Sequence, residues 1–151
     1  MKGRSRHQLF PPADSQIAAA AQQLGDRGFY QIAFRVATPL TVCVGALGAT
    51  SLVPGWYVYT GSAQRHLAAR LGRHVRGGQA RRWHIDYLRA LLQPATWRVL
   101  PMNGANECAL VDQAIRVDHA TRLPRQFGAS DCRCGGHLTH SPHPPSWLAQ
   151  P

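Results

Sequence analysis

Lysine and glutamate are almost missing from this chain. Lys2 is the only lysine and Glu107 the only glutamate among 151 residues. Nearly all positive charge is therefore arginine, and carboxylate chemistry has few places to go. Long apolar runs are absent too. None reaches the roughly 18 residues of a membrane span. The basic start, Met1-Lys2-Gly3-Arg4-Ser5-Arg6, leads into no apolar signal-peptide core. These absences predict a soluble, cytoplasmic protein with no membrane partner. Four cysteines, at 43, 108, 132 and 134, without a secretion signal argue against a disulfide scaffold. Cys43 falls in an expected strand and Cys108 in an expected helix, so both read as small buried apolar residues.

What is present is arginine and 44% apolar residues, enough for one modest core. The net charge is +10. Seven arginines (65, 70, 73, 76, 81, 82, 89) lie between Arg65 and Arg89, against one acid, Asp86. Arginine binds phosphate with two parallel hydrogen bonds and stacks on bases. A solvated basic face is the plain alternative. Clustering favours a nucleic-acid partner, with Arg65, Arg73, Arg76, Arg81 and Arg82 as its contacts.

The punctuation of the chain predicts one domain over 14–140. Residues 1–13 are expected to be a flexible N-terminus and 141–151 a Pro-rich disordered tail. Ser15 reads as the cap of a helix over Gln16–Leu24 that Gly25 ends. Phe29–Val36, Leu40–Leu47 and Trp56–Thr60 read as strands in an antiparallel meander. Leu67 and Leu71 mark a helix that stops at Gly77-Gly78. Ile85, Leu88 and Leu92 mark a second helix, stopped by Pro94. Trp97–Leu100 suggests another strand and Glu107–Val117 a third main helix. The expected class is α/β in the α+β sense: an antiparallel sheet of three to four strands flanked by three to four helices.

Two tyrosines bracket the first strands. Gly28-Phe29-Tyr30-Gln31-Ile32 opens one, and Tyr59-Thr60-Gly61-Ser62-Ala63 closes another. A basic helix follows, in which Arg70 and His74, four apart, share a face. Phenol, guanidinium and imidazole suit a phosphodiester, one group to move a proton and one to hold phosphate charge. A divalent cation of the magnesium type takes oxygen ligands and often only one or two carboxylates. Glu107 is the first candidate and Asp112 the rival. Helical geometry sets the two about 140° apart, so they cannot serve one ion together. His84, in Trp83-His84-Ile85-Asp86-Tyr87-Leu88, borders the basic stretch; Asp86 is expected to pair with an arginine.

On these motifs, and on Leu67–His74, the chain resembles the GIY-YIG nuclease family. It is most similar to a subfamily with the Trp83–Leu88 signature, Glu107-Cys108, and the late block Phe127–Cys134 with His137-Leu138. The resemblance covers residues 28–140. It implies a GIY-YIG-like fold and an endonuclease that hydrolyses DNA with one Mg²⁺ or Mn²⁺. It implies that Tyr30 and Tyr59 line the site and that one of them handles the attacking water. Arg70 would bind the scissile phosphate, His74 would assist proton transfer, His84 would match a further histidine, and a helix-borne acid would hold the metal. A non-catalytic nucleic-acid-binding module on the same fold is the alternative.

Asp131–His137 admits a second idea. Cys132, Cys134 and His137, with His140 as a further candidate, could bind zinc. Structural zinc normally draws a second, distant pair of ligands, which this spacing does not show. A turn with buried thiols is the preferred reading, and zinc is not expected.

Overall fold

A computed structural model describes residues 10–77, 84–104, 106–123, Phe127 and 136–149. The core element is an antiparallel five-stranded sheet of β1 (Gly28–Val36), β4 (Gly55–Ala63), β5 (Thr96–Leu100), β6 (Thr121–Arg122) and β7 (Leu138–Ser141), in the order β5-β1-β4-β7-β6. A separate hairpin joins β2 (Leu40–Val44) to β3 (Gly48–Leu52) through a 3₁₀ turn at Gly45–Leu47. The helices are α1 (Phe10–Gln23), α2 (Leu67–Arg76), α3 (His84–Arg89) and α4 (Glu107–Asp118).

The antiparallel α+β class is as expected, but the sheet has five strands rather than three or four. The stretch 40–47 bends into the 3₁₀ turn at Gly45 and returns as β3, so β1 pairs with β4 and not with its neighbour in sequence. The hairpin also corrects Cys43. Val42 and Val44 point inwards, and strand alternation turns the Cys43 thiol out to an exposed position.

β1 and β4 are buried along nearly their whole length because both sheet faces are covered. Tyr30, Ile32, Phe34, Tyr57, Tyr59 and Leu138 share one face through the strand register, and pack against Ile17 and Ala21 of α1, Leu67 and Leu71 of α2, and Ile85 and Leu88 of α3. The other face carries Gln31, Val58, Thr60 and Thr139 and is covered by α4.

Both terminal segments differ from expectation for local reasons. α1 begins at Phe10, inside the stretch expected to be loose, and carries Pro11 and Pro12 in its first turn, where a missing N–H costs nothing. At the other end, Ser141 closes β7, and Ser146–Ala149 form a 3₁₀ helix where a disordered tail was expected. Trp147 anchors it: the Arg98 guanidinium lies 4.8 Å above the indole. α2 is capped from outside its own sequence. Asp26 accepts from Ala68 N–H through Oδ1 at 2.9 Å and from Leu67 N–H through its carbonyl at 3.1 Å. α2 stops at Gly77 as expected. Gly77 has φ +70°, and a Cβ there would stand 2.8 Å from the Arg89 guanidinium.

Candidate active site

Tyr30 on β1, Tyr59 on β4 and His74 on α2 meet on the first sheet face. The Tyr30 hydroxyl is 3.0 Å from His74 Nε2. The two phenol rings are 6.3 Å apart, and His74 stands edge-on to Tyr59 at 6.3 Å. Behind His74, Asp86 Oδ1 lies 4.0 Å from Nδ1, and Asp86 Oδ2 accepts from Arg73 at 3.3 Å. Asp86 thus pairs with an arginine, as expected from its basic neighbourhood.

Burial governs the electrostatics. His74 is 1% exposed, and desolvation pulls its pKa down to about 4; Arg73 and Arg70 push the same way, and Asp86 opposes them. The ring is therefore neutral at physiological pH. The tautomer that suits both neighbours carries its proton on Nδ1, facing Asp86, and accepts from the Tyr30 hydroxyl at Nε2. Burial also raises the pKa of both phenols, Tyr30 and Tyr59. The Glu107 charge raises them further, and the Arg70 charge partly offsets this. Both tyrosines rest as neutral phenols.

The other half of the site gathers at the end of β4. Arg70 Nη1 donates to the Ser62 carbonyl at 2.7 Å. The Ser62 hydroxyl donates to Glu107 Oε2 at 2.7 Å. Asn106 caps α4 by accepting from Ala109 N–H at 2.8 Å, which sets Glu107 in the first turn, where the helix dipole favours a carboxylate. Glu107 Oε1 lies 3.4 Å from His137 Nδ1, and His137 Nε2 lies 3.4 Å from Cys108 Sγ. Ser62 faces away from Tyr30 in the strand register, so the two halves straddle the edge of β4. Glu107 adds to the burial that raises both phenols, so the two halves lie within electrostatic reach of each other.

Several expected residues stand elsewhere. Asp112 points outward, 52% exposed, and pairs with Arg122 at 2.7 Å. His84 packs edge-on against Phe127 at 5.4 Å, and Phe127 in turn against Tyr59 at 6.0 Å, which puts His84 one ring removed from the cluster. Burial lowers its pKa. Arg76 pairs with Asp14 on the surface at 3.2 Å, and Arg65 is exposed. Arg81, Arg82, Cys132 and Cys134 lie outside the described residues. Arg89, which the composition grouped with the basic stretch, is buried and donates to four carbonyls: His74, Val75 and Arg76 at the end of α2, and Leu92. Its role is to close a helix end. Ser62 and Cys108 carried no sequence signal of their own; the Ser-Ala after Gly61 and the Glu-Cys pair were the only hints.

Glu107 can serve a hard cation. Its side chain is 29% exposed, and a carboxylate oxygen that accepts one hydrogen bond keeps another lone pair. Among the described residues no three His, Cys, Asp or Glu side chains form a metal cage, so water and substrate phosphate would complete the shell. A cavity of about 210 Å³ lies on the far face under α4 between Gln31, Leu110, Ala114 and Trp147, and none of the groups above lines it.

A family model, described as a domain of unknown function, DUF123, matches residues 29–150. The chain belongs to the DUF123 family. The matched stretch begins next to Tyr30 and takes in every residue of the cluster just described, so the site lies wholly within the DUF123 domain. No curated protein and no solved structure matches the chain. No described helix is long and apolar enough to cross a membrane.

Proposed function

We propose that this DUF123 chain is a GIY-YIG-type endonuclease that hydrolyses DNA phosphodiesters with one Mg²⁺ or Mn²⁺. One observation carries the reading. The Tyr30–His74 pair and the Arg70–Ser62–Glu107 chain flank the end of β4, within electrostatic reach of each other. A proton carrier, a phosphate-binding cation and a carboxylate are what phosphodiester hydrolysis asks of a protein. Exposed Cys43 fits a reducing, cytoplasmic setting.

The chemistry follows from the resting states. Arg70 binds the scissile phosphate and aligns it over the end of β4. A neutral phenol is a poor base, so Tyr30 acts by exchange: it takes a proton from the attacking water while passing its own to His74 Nε2. The water oxygen bonds to phosphorus, the bond to the leaving oxygen breaks, and that oxygen takes up a proton from solvent water while the His74 proton returns to solvent after turnover. His74 accepts poorly while dry, since its pKa sits at about 4. Phosphate charge brought in by the substrate raises it, and Asp86 stabilises the imidazolium. A divalent cation held by Glu107 would supply charge neutralisation at the phosphate and the leaving oxygen.

The test is direct. Purified protein is incubated with branched, nicked and duplex DNA in Mg²⁺ or Mn²⁺. Cleavage is expected on at least one substrate and lost in Arg70→Ala and Glu107→Ala. Intact DNA throughout, or undiminished cutting by both variants, ends the reading. One feature favours the non-catalytic alternative: Tyr30 and Tyr59 are only 2% and 5% exposed. That alternative expects steeply salt-dependent binding, from counterion release, without cleavage.

A further inference from the structure

We propose that the cavity under α4 is a binding site for a small aromatic carboxylate, with the Arg98 guanidinium holding the carboxylate and the ring lying between α4 and the sheet. The cavity measures about 210 Å³. An apolar protein cavity of about 150 Å³ accepts benzene, so this one has room for a ring and a short acidic side arm.

Arg98 is the reason for the anion. It stands on β5 opposite Gln31 of β1, and Gln31 stands opposite Thr60 of β4. The three side chains form a row. Arg98 Nε donates to Gln31 Oε1 at 2.7 Å, and Gln31 Nε2 donates to Thr60 Oγ1 at 3.1 Å. Gln31 and Thr60 are both buried, and the Trp147 indole lies 4.8 Å from the guanidinium carbon. The fork is therefore held from its edge and from its face. Its Nε is used, and among the described residues its two Nη groups meet no acceptor and no carboxylate in ion-pair range. Asp118 acts on Arg98 only as a more distant charge, while burial lowers the guanidinium pKa. A cation drawn out of water is costly unless an anion pairs with it. A carboxylate can take both free nitrogens at once.

The opposite wall calls for an apolar body. Leu110, Ala114 and Val117 of α4 follow i, i+4, i+7, the stripe with which a helix seals onto a sheet. Yet Val111 is the only buried residue of α4, and Val117 is 56% exposed. The stripe stands over the cavity instead of closing it. Val58 and the indoles of Trp56 and Trp147 supply the other apolar surfaces, and flat indoles favour a flat ligand. Asp118 lines the cavity too, its Oδ1 accepting from Ser146 N–H at 3.2 Å. One cation beside one anion suits a singly charged carboxylate, whereas a phosphate dianion would be repelled by Asp118. The cavity lies on the sheet face away from Tyr30 and His74, so the inference rests on no step of the proposed hydrolysis.

Full-length protein is titrated by calorimetry with benzoate and with indole-3-acetate. One site per chain is expected for at least one of the two. Benzyl alcohol has the ring without the charge, acetate the charge without the ring, and phenyl phosphate the second charge. Each should bind at least about tenfold more weakly, and Arg98→Met should weaken carboxylate binding by about tenfold or more. Ala114→Phe fills the space from α4 and should abolish binding. Wild-type protein that takes up neither carboxylate at millimolar concentration overturns the proposal. So does benzyl alcohol or phenyl phosphate binding as tightly as benzoate, or undiminished binding in both variants. If Arg98→Met fails to fold, the neutral analogue and Ala114→Phe still decide.

Discussion

The Tyr30 phenol lies directly over Gly61, so that a Cβ at Gly61 would occupy the space of the ring. The two motif strands are locked together at this point, because Tyr30 and Gly61 are also register partners across β1 and β4. The glycine is required by the tyrosine and not by its own backbone.

Gly61→Ala should therefore destabilise the fold by about 1–3 kcal/mol through overpacking, and displace the Tyr30 hydroxyl from His74. Urea unfolding measures the first effect. A double-mutant cycle with Tyr30→Ala measures the coupling, since removing the ring removes the collision. Additive effects would mean that the contact carries no energy.

His74 makes stability pH-dependent. Its folded pKa of about 4 lies below the unfolded value of 6.5. The unfolded chain therefore takes up a proton first as pH falls. The contribution is fully present above pH 6.5 and is lost progressively down to about pH 4, amounting to at most about 3 kcal/mol. Chemical denaturation at pH 7, 6, 5 and 4 should show this slope, and His74→Gln should flatten it.

Not every arginine in the basic stretch serves a polyanion. Arg65 is exposed, whereas Arg89 is buried among four carbonyls. Arg65→Ala should leave stability alone and lower the salt slope of DNA binding by about one unit. Arg89→Lys should cost about 2–4 kcal/mol, because an ammonium cannot reproduce the guanidinium fork and strands buried carbonyls. Equal salt slopes for wild type and Arg65→Ala would remove Arg65 from the interface.

These residues show what the sequence could and could not reveal. Tyr30, Tyr59, Arg70 and His74 were legible because strand ends and a four-residue helical step are local patterns. Glu107 stood out as the only glutamate, at a predicted helix start. Arg89 was misgrouped because its carbonyl partners include residues thirteen to fifteen positions away. Cys108 and His137 meet only through tertiary packing. Cys43 was assigned to the core from strand membership alone, when the alternation of Val42 and Val44 already placed it outside. β6 and β7 escaped because Thr121-Arg122 and Leu138–Ser141 are too short and polar to carry a period.

Glu107 and Asp112 offer the sharpest separation of roles. Glu107 Oε2 is tied to Ser62 at the end of β4, beside Arg70. Asp112 is turned to solvent and neutralised by Arg122. If Glu107 holds the catalytic cation, Glu107→Gln keeps the shape and removes the charge, and kcat should fall on the order of 10²-fold or more while DNA affinity holds or rises, since a negative charge beside the phosphate has gone. Asp112→Asn should cut at the wild-type rate. Single-turnover cleavage at saturating DNA, across a Mn²⁺ titration, separates the two. The Glu107 variant should need more metal to reach any given rate, and the Asp112 variant should not. The reverse pattern would move the metal to Asp112 and leave Glu107 as an anchor for His137.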